Sequence, residues 1–399
     1  MNENFSGIRK TIDHCVACTA CMAACPVMRA LQDYRGPKLI APAHGRLHCS
    51  QDDFDRSLEF CSNCKSCDRA CPNGVSVSNL NMQQRGKFFE SHKHSQRDKI
   101  LAHIESAGKK IRTIPFGHQA ANWGSSVGKI LGISEKIGIT AKRPLPIYAR
   151  KNFKTLFKSI HQPKSDRKIV FYPGCYINEN DPDVGVALIR VMNANGIEVL
   201  LDENFRCCGS PLISTGFMNE SRLLAENNSA RIQDWKSKNI PVVAACTTCS
   251  LVLKSELAEI FGDDRFANDN VFDAFEFLET INLNLNLASV PKRILYHVPC
   301  HLKSQGIGLP AREILSEIPD LKIELADAGC CGLSGNFGYK KELYDVSMKI
   351  GRELFDRILS SDADEVMSEC GPCRMQIQHG TNREPMHPLE ILAGAYLPN

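Results

Sequence analysis

The chain has 399 residues, 43% hydrophobic and 23% charged, with a formal net charge of +3. That composition leaves room for two or three domains with full cores and excludes a disordered or fibrous protein. The longest apolar runs, such as Ile240 to Cys246, fall far short of the roughly 20 residues that cross a bilayer as a helix, so no transmembrane helix is predicted.

Met1 to Lys10 is polar and lacks an apolar segment, so no secretory signal is read and a cytoplasmic location is expected. In that compartment thiols stay reduced, and the 19 cysteines point to metal ligation rather than disulfides.

The first cysteine block is Cys15, Cys18, Cys21 and Cys25 followed by Pro26, and a second copy runs Cys61, Cys64, Cys67, Cys71 and Pro72. Three thiolates at three-residue intervals can wrap one [4Fe–4S] cubane, while the fourth, set off by a longer gap and a proline, reaches the neighbouring cluster. Cys15, Cys18, Cys21 and Cys71 are therefore assigned to one cluster, and Cys61, Cys64, Cys67 and Cys25 to the other. Zinc sites, which take ligands as two separated pairs, fit this run poorly. Cys49, between the blocks beside His44 and His48, is left as a free thiol.

From Arg85 to Lys168 the chain carries 19 Lys and Arg against 5 Asp and Glu, so the remainder is net acidic. Phe153, Leu156, Phe157 and Ile160 share one helical face beside Arg150, Lys151, Lys154 and Lys158. Trp123 to Ile139 reads as a second, looser helix. Such helices can lie on an anionic membrane surface or pack on a core with a solvated basic flank. No motif that reads nucleic acid accompanies the charge, so a nucleic-acid partner is not expected.

From Lys168 onward, apolar strand-like runs alternate with helical stretches, and the same order recurs from Arg293, which predicts duplicated βαβ units with parallel sheets. The cysteines repeat in step. The first half has Cys175, the pair Cys207 and Cys208 before Gly209, and Cys246-x2-Cys249. The second has Cys300, Cys330 and Cys331 before Gly332, and Cys370-x2-Cys373. Each set of five should converge at the carboxyl ends of its strands. Five thiolates exceed the need of one cubane, so each half holds either a cubane with a spare cysteine or a cluster of another shape. The glycine after each pair permits a tight turn or close approach to a bulky ligand. His297, His301, Tyr172 and Tyr176 flank the first cysteines and could relay protons.

The predicted chain is thus α+β and α/β multidomain. A helical ferredoxin-type domain with two [4Fe–4S] clusters covers 1–84, a basic, partly amphipathic helical linker covers 85–168, and duplicated α/β cysteine-rich domains cover 169–290 and 291–399.

The ferredoxin blocks followed by two cysteine–cysteine–glycine repeats, with Pro37 and the stretches Phe60 to Pro72, Phe205 to Ile213, Tyr296 to His301 and Cys330 to Lys341, resemble a family. It comprises the iron–sulfur subunits of glycerol-3-phosphate, glycolate and lactate oxidation complexes and the cluster-bearing subunit of heterodisulfide reductase. The resemblance implies an iron–sulfur electron-transfer subunit whose flavoprotein dehydrogenase partner oxidises glycerol 3-phosphate, with menaquinone as acceptor, at the cytoplasmic face of the inner membrane. It also implies that the two sets of five cysteines could hold non-cubane [4Fe–4S] clusters. A lactate or glycolate donor, a heterodisulfide-reductase-like catalytic cluster and a redox sensor are the competing readings. The absence of a Gly-x-Gly-x-x-Gly fingerprint places oxidation of the organic substrate on another chain.

Overall fold

A computed structural model of the chain describes residues 11–46 and 56–396, and Cys49 lies outside the described residues. Two parallel sheets organise the C-terminal half. In the first, β1 (Lys168–Tyr172), β2 (Glu198–Leu201), β3 (Val242–Ala244) and β4 (Val271–Asp273) lie in the order β2-β1-β3-β4. In the second, β5 (Arg293–Tyr296), β6 (Lys322–Leu325) and β7 (Glu365–Met367) lie in the order β6-β5-β7.

All the pairings are parallel, with Ile169 opposite Val199 and Val170 opposite Val242 in one sheet, and Ile294 opposite Ile323 and Leu295 opposite Val366 in the other. Strands buried on both faces read as unbroken apolar runs, and Ile169, Val170 and Phe171 are fully buried.

β4 has no counterpart among the predicted elements. In the second repeat its place is taken by a single parallel bridge between Met367 and Met386. The equivalence extends one residue further: Asp273 and His387 each cap the next helix in a capping box, with Glu276 and Glu390 respectively.

The two repeats share one core. Phe171, Leu188 and Phe275 of the first lie in the same buried cluster as Tyr296, Leu302, Leu315 and Leu389 of the second. Phe153 is fully buried in that cluster and stacks edge-on against Phe171, so the helix Phe153–Phe157 follows the core-packing alternative. Trp123 to Ile139 divides into Gly117–Ile130 and Ile133–Lys136, which keep most of their apolar side chains in solvent.

The N-terminal cysteine loops dock onto the first repeat through the helix Val77–Ser91. Its buried face is polar: the Gln83 amide donates to the Ile260 carbonyl, Asn79 bonds Glu259, and the Arg85 guanidinium donates to the carbonyls of Leu58, Cys61 and Ser214. A second anchor is the buried Arg143, whose guanidinium donates to Gly338 O, Ser347 Oγ and Gln376 Oε1 of the second repeat.

Candidate iron–sulfur sites

The two N-terminal blocks fold alike. In each, the residues two and four after the first cysteine take left-handed backbone: Ala17 and Thr19 in one, Asn63 and Lys65 in the other. This winding turns successive thiols toward a common centre. A cavity of about 350 Å³ is lined by Cys15, Cys18, Cys21 and Cys71, and a second of about 290 Å³ by Cys25, Cys61, Cys64 and Cys67. Each cavity therefore gathers three cysteines from one block and the fourth from the other.

Side chains and main chain point donors at these sulfurs. Asn81 Nδ2 donates to Cys61 Sγ and the Val75 amide to Cys71 Sγ, both at 3.4 Å. Burial pushes the Cys25 thiol up to about 12 and Cys64 to about 11, so ionising them together requires positive charge in the cavity.

In the C-terminal half every cysteine follows a strand end, and each set of five converges. In the first repeat the thiols touch in the sequence Cys175, Cys207, Cys208, Cys249, Cys246, with 3.8 Å between Cys175 Sγ and Cys207 Sγ. The second repeat reproduces that chain as Cys300, Cys330, Cys331, Cys373, Cys370. Hydrogen bonds from neighbouring thiols pull Cys207 and Cys330 well below the ordinary thiol range. The 18 described cysteines are all free thiols, and five packed per repeat suit a metal cluster better than an apolar core.

The glycine after each cysteine pair follows the tight-turn alternative, with φ +92° at Gly209 and +91° at Gly332. A Cβ on Gly332, at φ +91°, would stand 2.1 Å from the Ser347 carbonyl oxygen, and one on Gly209 would stand 2.8 Å from Ser221 Oγ. Both glycines make room for the next long helix rather than for a ligand.

The aromatic and histidine residues beside the first cysteines fall into distinct settings. Tyr172 is buried and its hydroxyl donates to Arg206 O at 2.6 Å. Tyr176 lies flat on Gly371, where a Cβ would come within 2.3 Å of its ring, so the residue after Cys175 touches the residue after Cys370. His301, after Cys300, meets the cysteine helix of the first repeat in turn. Its Nε2 lies 3.1 Å from the Asn63 carbonyl and its Nδ1 2.8 Å from Thr248 Oγ1. A carbonyl can only accept, so Nε2 carries the proton and Nδ1 accepts the Thr248 hydroxyl. His301 thus ties both repeats to the second N-terminal cysteine loop. His297 is buried, and burial depresses it to about 4.

The second N-terminal set adjoins the second repeat. Cys64 lies close enough to Cys330 and Cys300 to raise, and be raised by, their charge, and Arg69 donates to the Cys300 carbonyl at 3.3 Å. An open cleft of about 750 Å³ beside them is lined by Arg29, Arg69, Lys303, Cys300 and Cys330.

Sequence reasoning missed the buried ion pair at this junction. Lys65 Nζ lies 2.8 Å from Glu256 Oε1, both side chains nearly inaccessible, and Asn63 Nδ2 donates to the same oxygen at 3.0 Å. No periodicity marks two polar residues 191 positions apart as partners.

Comparison with known proteins defines the class. Residues 11–75 match the 4Fe-4S dicluster domain family, and residues 169–254 and 294–378 match the Cysteine-rich domain family. The chain is therefore an iron–sulfur electron-transfer protein with several clusters.

It is 34% identical to the C subunit of anaerobic glycerol-3-phosphate dehydrogenase of Escherichia coli (strain K12), over 96% of this chain and 98% of that protein. It is 27% identical to the B subunit of fumarate reductase (CoM/CoB) of Methanothermobacter marburgensis, over 97% of this chain and 73% of that protein. A probable glycolate oxidase iron–sulfur subunit of Bacillus subtilis (strain 168) is 22% identical over 93% and 89%. The chain belongs to the family of the anaerobic glycerol-3-phosphate dehydrogenase C subunit.

Proposed function

We propose that this chain is the electron-transferring subunit of a glycerol 3-phosphate oxidising complex, receiving electrons from a flavoprotein subunit and delivering them to a quinone at the membrane surface. The observation that carries the relay is the adjacency of Cys64 to Cys300 and Cys330, which puts an N-terminal cysteine set beside a C-terminal one. The donor is argued from the E. coli relative, whose length the chain matches almost completely.

In this reading Cys15, Cys18, Cys21 and Cys71 hold one [4Fe–4S] cluster and Cys25, Cys61, Cys64 and Cys67 a second, supported by the two cavities those residues line. Cys175, Cys207, Cys208, Cys246 and Cys249 hold a third, and Cys300, Cys330, Cys331, Cys370 and Cys373 a fourth, supported by the two matching chains of thiols. When bound, the clusters supply one-electron transfer. The protein's own contribution is to hold the sites side by side, to exclude water by burying Cys64, Cys67, Cys208 and Cys331, and to fix the junction through His301, Asn63 and Lys65.

The proposed membrane contact is the exposed face of Gly117–Ile130 and Ile133–Lys136. Phe116, Trp123, Ile130 and Leu131 are between 63% and 82% exposed, and the exposed Lys110, Lys129 and Lys136 accompany them. Among the described residues no helix is long and apolar enough to cross a membrane. Exposed apolar side chains flanked by lysines suit the headgroup layer of an anionic bilayer, where each lysine contributes about 1 kcal/mol. Trp123→Ser combined with Ile130→Ser should lower partitioning onto anionic vesicles by at least about tenfold, since each buried side chain is worth about 1.5–3 kcal/mol. Vesicle sedimentation checks this, with iron content unchanged as the control.

The function is tested by purifying the chain anaerobically with its copurifying subunits and following electron paramagnetic resonance on addition of glycerol 3-phosphate. Several distinct signals should appear, and only when the flavoprotein is present. Clusters that stay oxidised with glycerol 3-phosphate but reduce with lactate or glycolate overturn the donor, and a protein without iron overturns the whole reading.

A further inference from the structure

The two repeat sites are near copies, yet they differ at a buried position beside the cysteines. Three residues before the first cysteine stands Tyr172 in the first repeat and His297 in the second, 1% and 2% exposed. Tyr172 is satisfied, its hydroxyl donating to Arg206 O at 2.6 Å. His297 is not: Nε2 is buried without a hydrogen-bond partner. A ring nitrogen of His297 and the sulfurs of Cys331 and Cys373 all lie within 4.8 Å of one another. A buried polar atom left without a partner destabilises the fold, so its retention calls for a partner that the protein atoms do not provide.

We infer that His297 is a sixth protein donor to the second-repeat cluster, its Nε2 binding iron alongside Cys331 and Cys373. The inference rests on the reading that the second-repeat cysteines hold a cluster. The chemistry of the donor set favours it. A neutral imidazole offers one lone pair and binds iron readily, and two thiolates lie within ligand-to-ligand range of it. Coordination through Nε2 leaves the ring proton on Nδ1, so no proton need leave the site. The consequence is an asymmetry between duplicated sites: the first repeat presents thiolates alone, the second thiolates plus imidazole. Where the neutral imidazole takes an iron position that the first repeat gives to a thiolate, it raises the potential of the centre. The second-repeat site, which adjoins Cys64, would thus lie downhill of the first.

The test is pulsed electron paramagnetic resonance on the reduced, cluster-loaded chain grown with 15N-histidine. One cluster signal should show the strong nitrogen coupling of a directly bound ring, and in His297→Tyr, which installs the first-repeat residue, that coupling should vanish and that signal's midpoint potential should fall while the other signals stay in place. His297→Cys serves if the tyrosine variant loses iron: it should keep the cluster and lose the coupling. A coupling no stronger than that of a hydrogen-bonded nitrogen, or a potential unmoved in both variants, overturns the inference and leaves the cysteine assignment standing. Absence of iron from the second repeat overturns both.

Discussion

Cys64→Ser is expected to remove about four iron atoms per chain and abolish electron flow to quinone, while the C-terminal repeats keep their fold and clusters. Cys64 lines the cavity shared by Cys25, Cys61 and Cys67, and the charge of Cys330 helps to raise its thiol. Its loss therefore removes the site that adjoins the second repeat. The repeats have their own shared apolar core and do not depend on that loop. Iron analysis, turnover with glycerol 3-phosphate and the remaining resonance signals check the result together. Full quinone reduction in the variant would show that electrons bypass this site.

Lys65→Met is expected to loosen the docking of the N-terminal loops by about 3–5 kcal/mol, because it strands the Glu256 carboxylate in a dry interface. Burial alone would raise Glu256, but the Lys65 ammonium, with a hydrogen bond from Asn63, holds the carboxyl below its ordinary value of 4.5. Burial likewise opposes the Lys65 charge, yet Glu256 and Asp68 hold the ammonium above its ordinary 10.5.

The signs follow from linkage. The carboxylate's contribution is present above 4.5 and is lost as pH falls through its lowered folded value. The ammonium's is present below 10.5 and is lost as pH rises through its raised one. The pair should thus contribute a constant amount between about pH 5 and 10. The double variant Lys65→Met with Glu256→Leu should recover most of the loss, since no charge is left unpaired. Hydrogen exchange of the helix Val77–Ser91 is the measurement, and about a hundredfold or greater acceleration in Lys65→Met at neutral pH is the expected size. Equal exchange in single and double variants would mean that the pair does not hold the interface.

Much of this protein is legible in its amino-acid order alone. The cysteine spacings in the two N-terminal blocks imply crossed sets, because a three-residue rhythm can wrap one centre and a longer gap cannot. The cavities gather the same residues. The central strands of the duplicated sheets are legible because strands buried on both faces, such as Ile169 to Phe171 and Ile294 to Tyr296, read as apolar runs. The middle segment is not. Phe153 and Trp123 both sit in basic, apolar-patterned stretches, yet one is fully buried and the other 70% exposed. Helical periodicity says that a face is apolar but not what covers it. The helix Val77–Ser91 shows the opposite case: Asn79, Gln83 and Arg85 are buried, satisfied by partners far along the chain.

What the sequence determined by itself is the local chemistry: four cysteine sets, their spacing, and the duplication that carries two of them, all set by short-range geometry. What only the tertiary structure decided is adjacency. That Cys64 lies beside Cys330, that His301 bridges both repeats to Asn63, that Lys65 neutralises Glu256, and that His297 meets Cys331 and Cys373 unpartnered where Tyr172 hydrogen-bonds the Arg206 carbonyl, all depend on how the segments pack. Such contacts join residues tens to hundreds of positions apart, and the free energy that selects them belongs to the assembled interface rather than to any one segment.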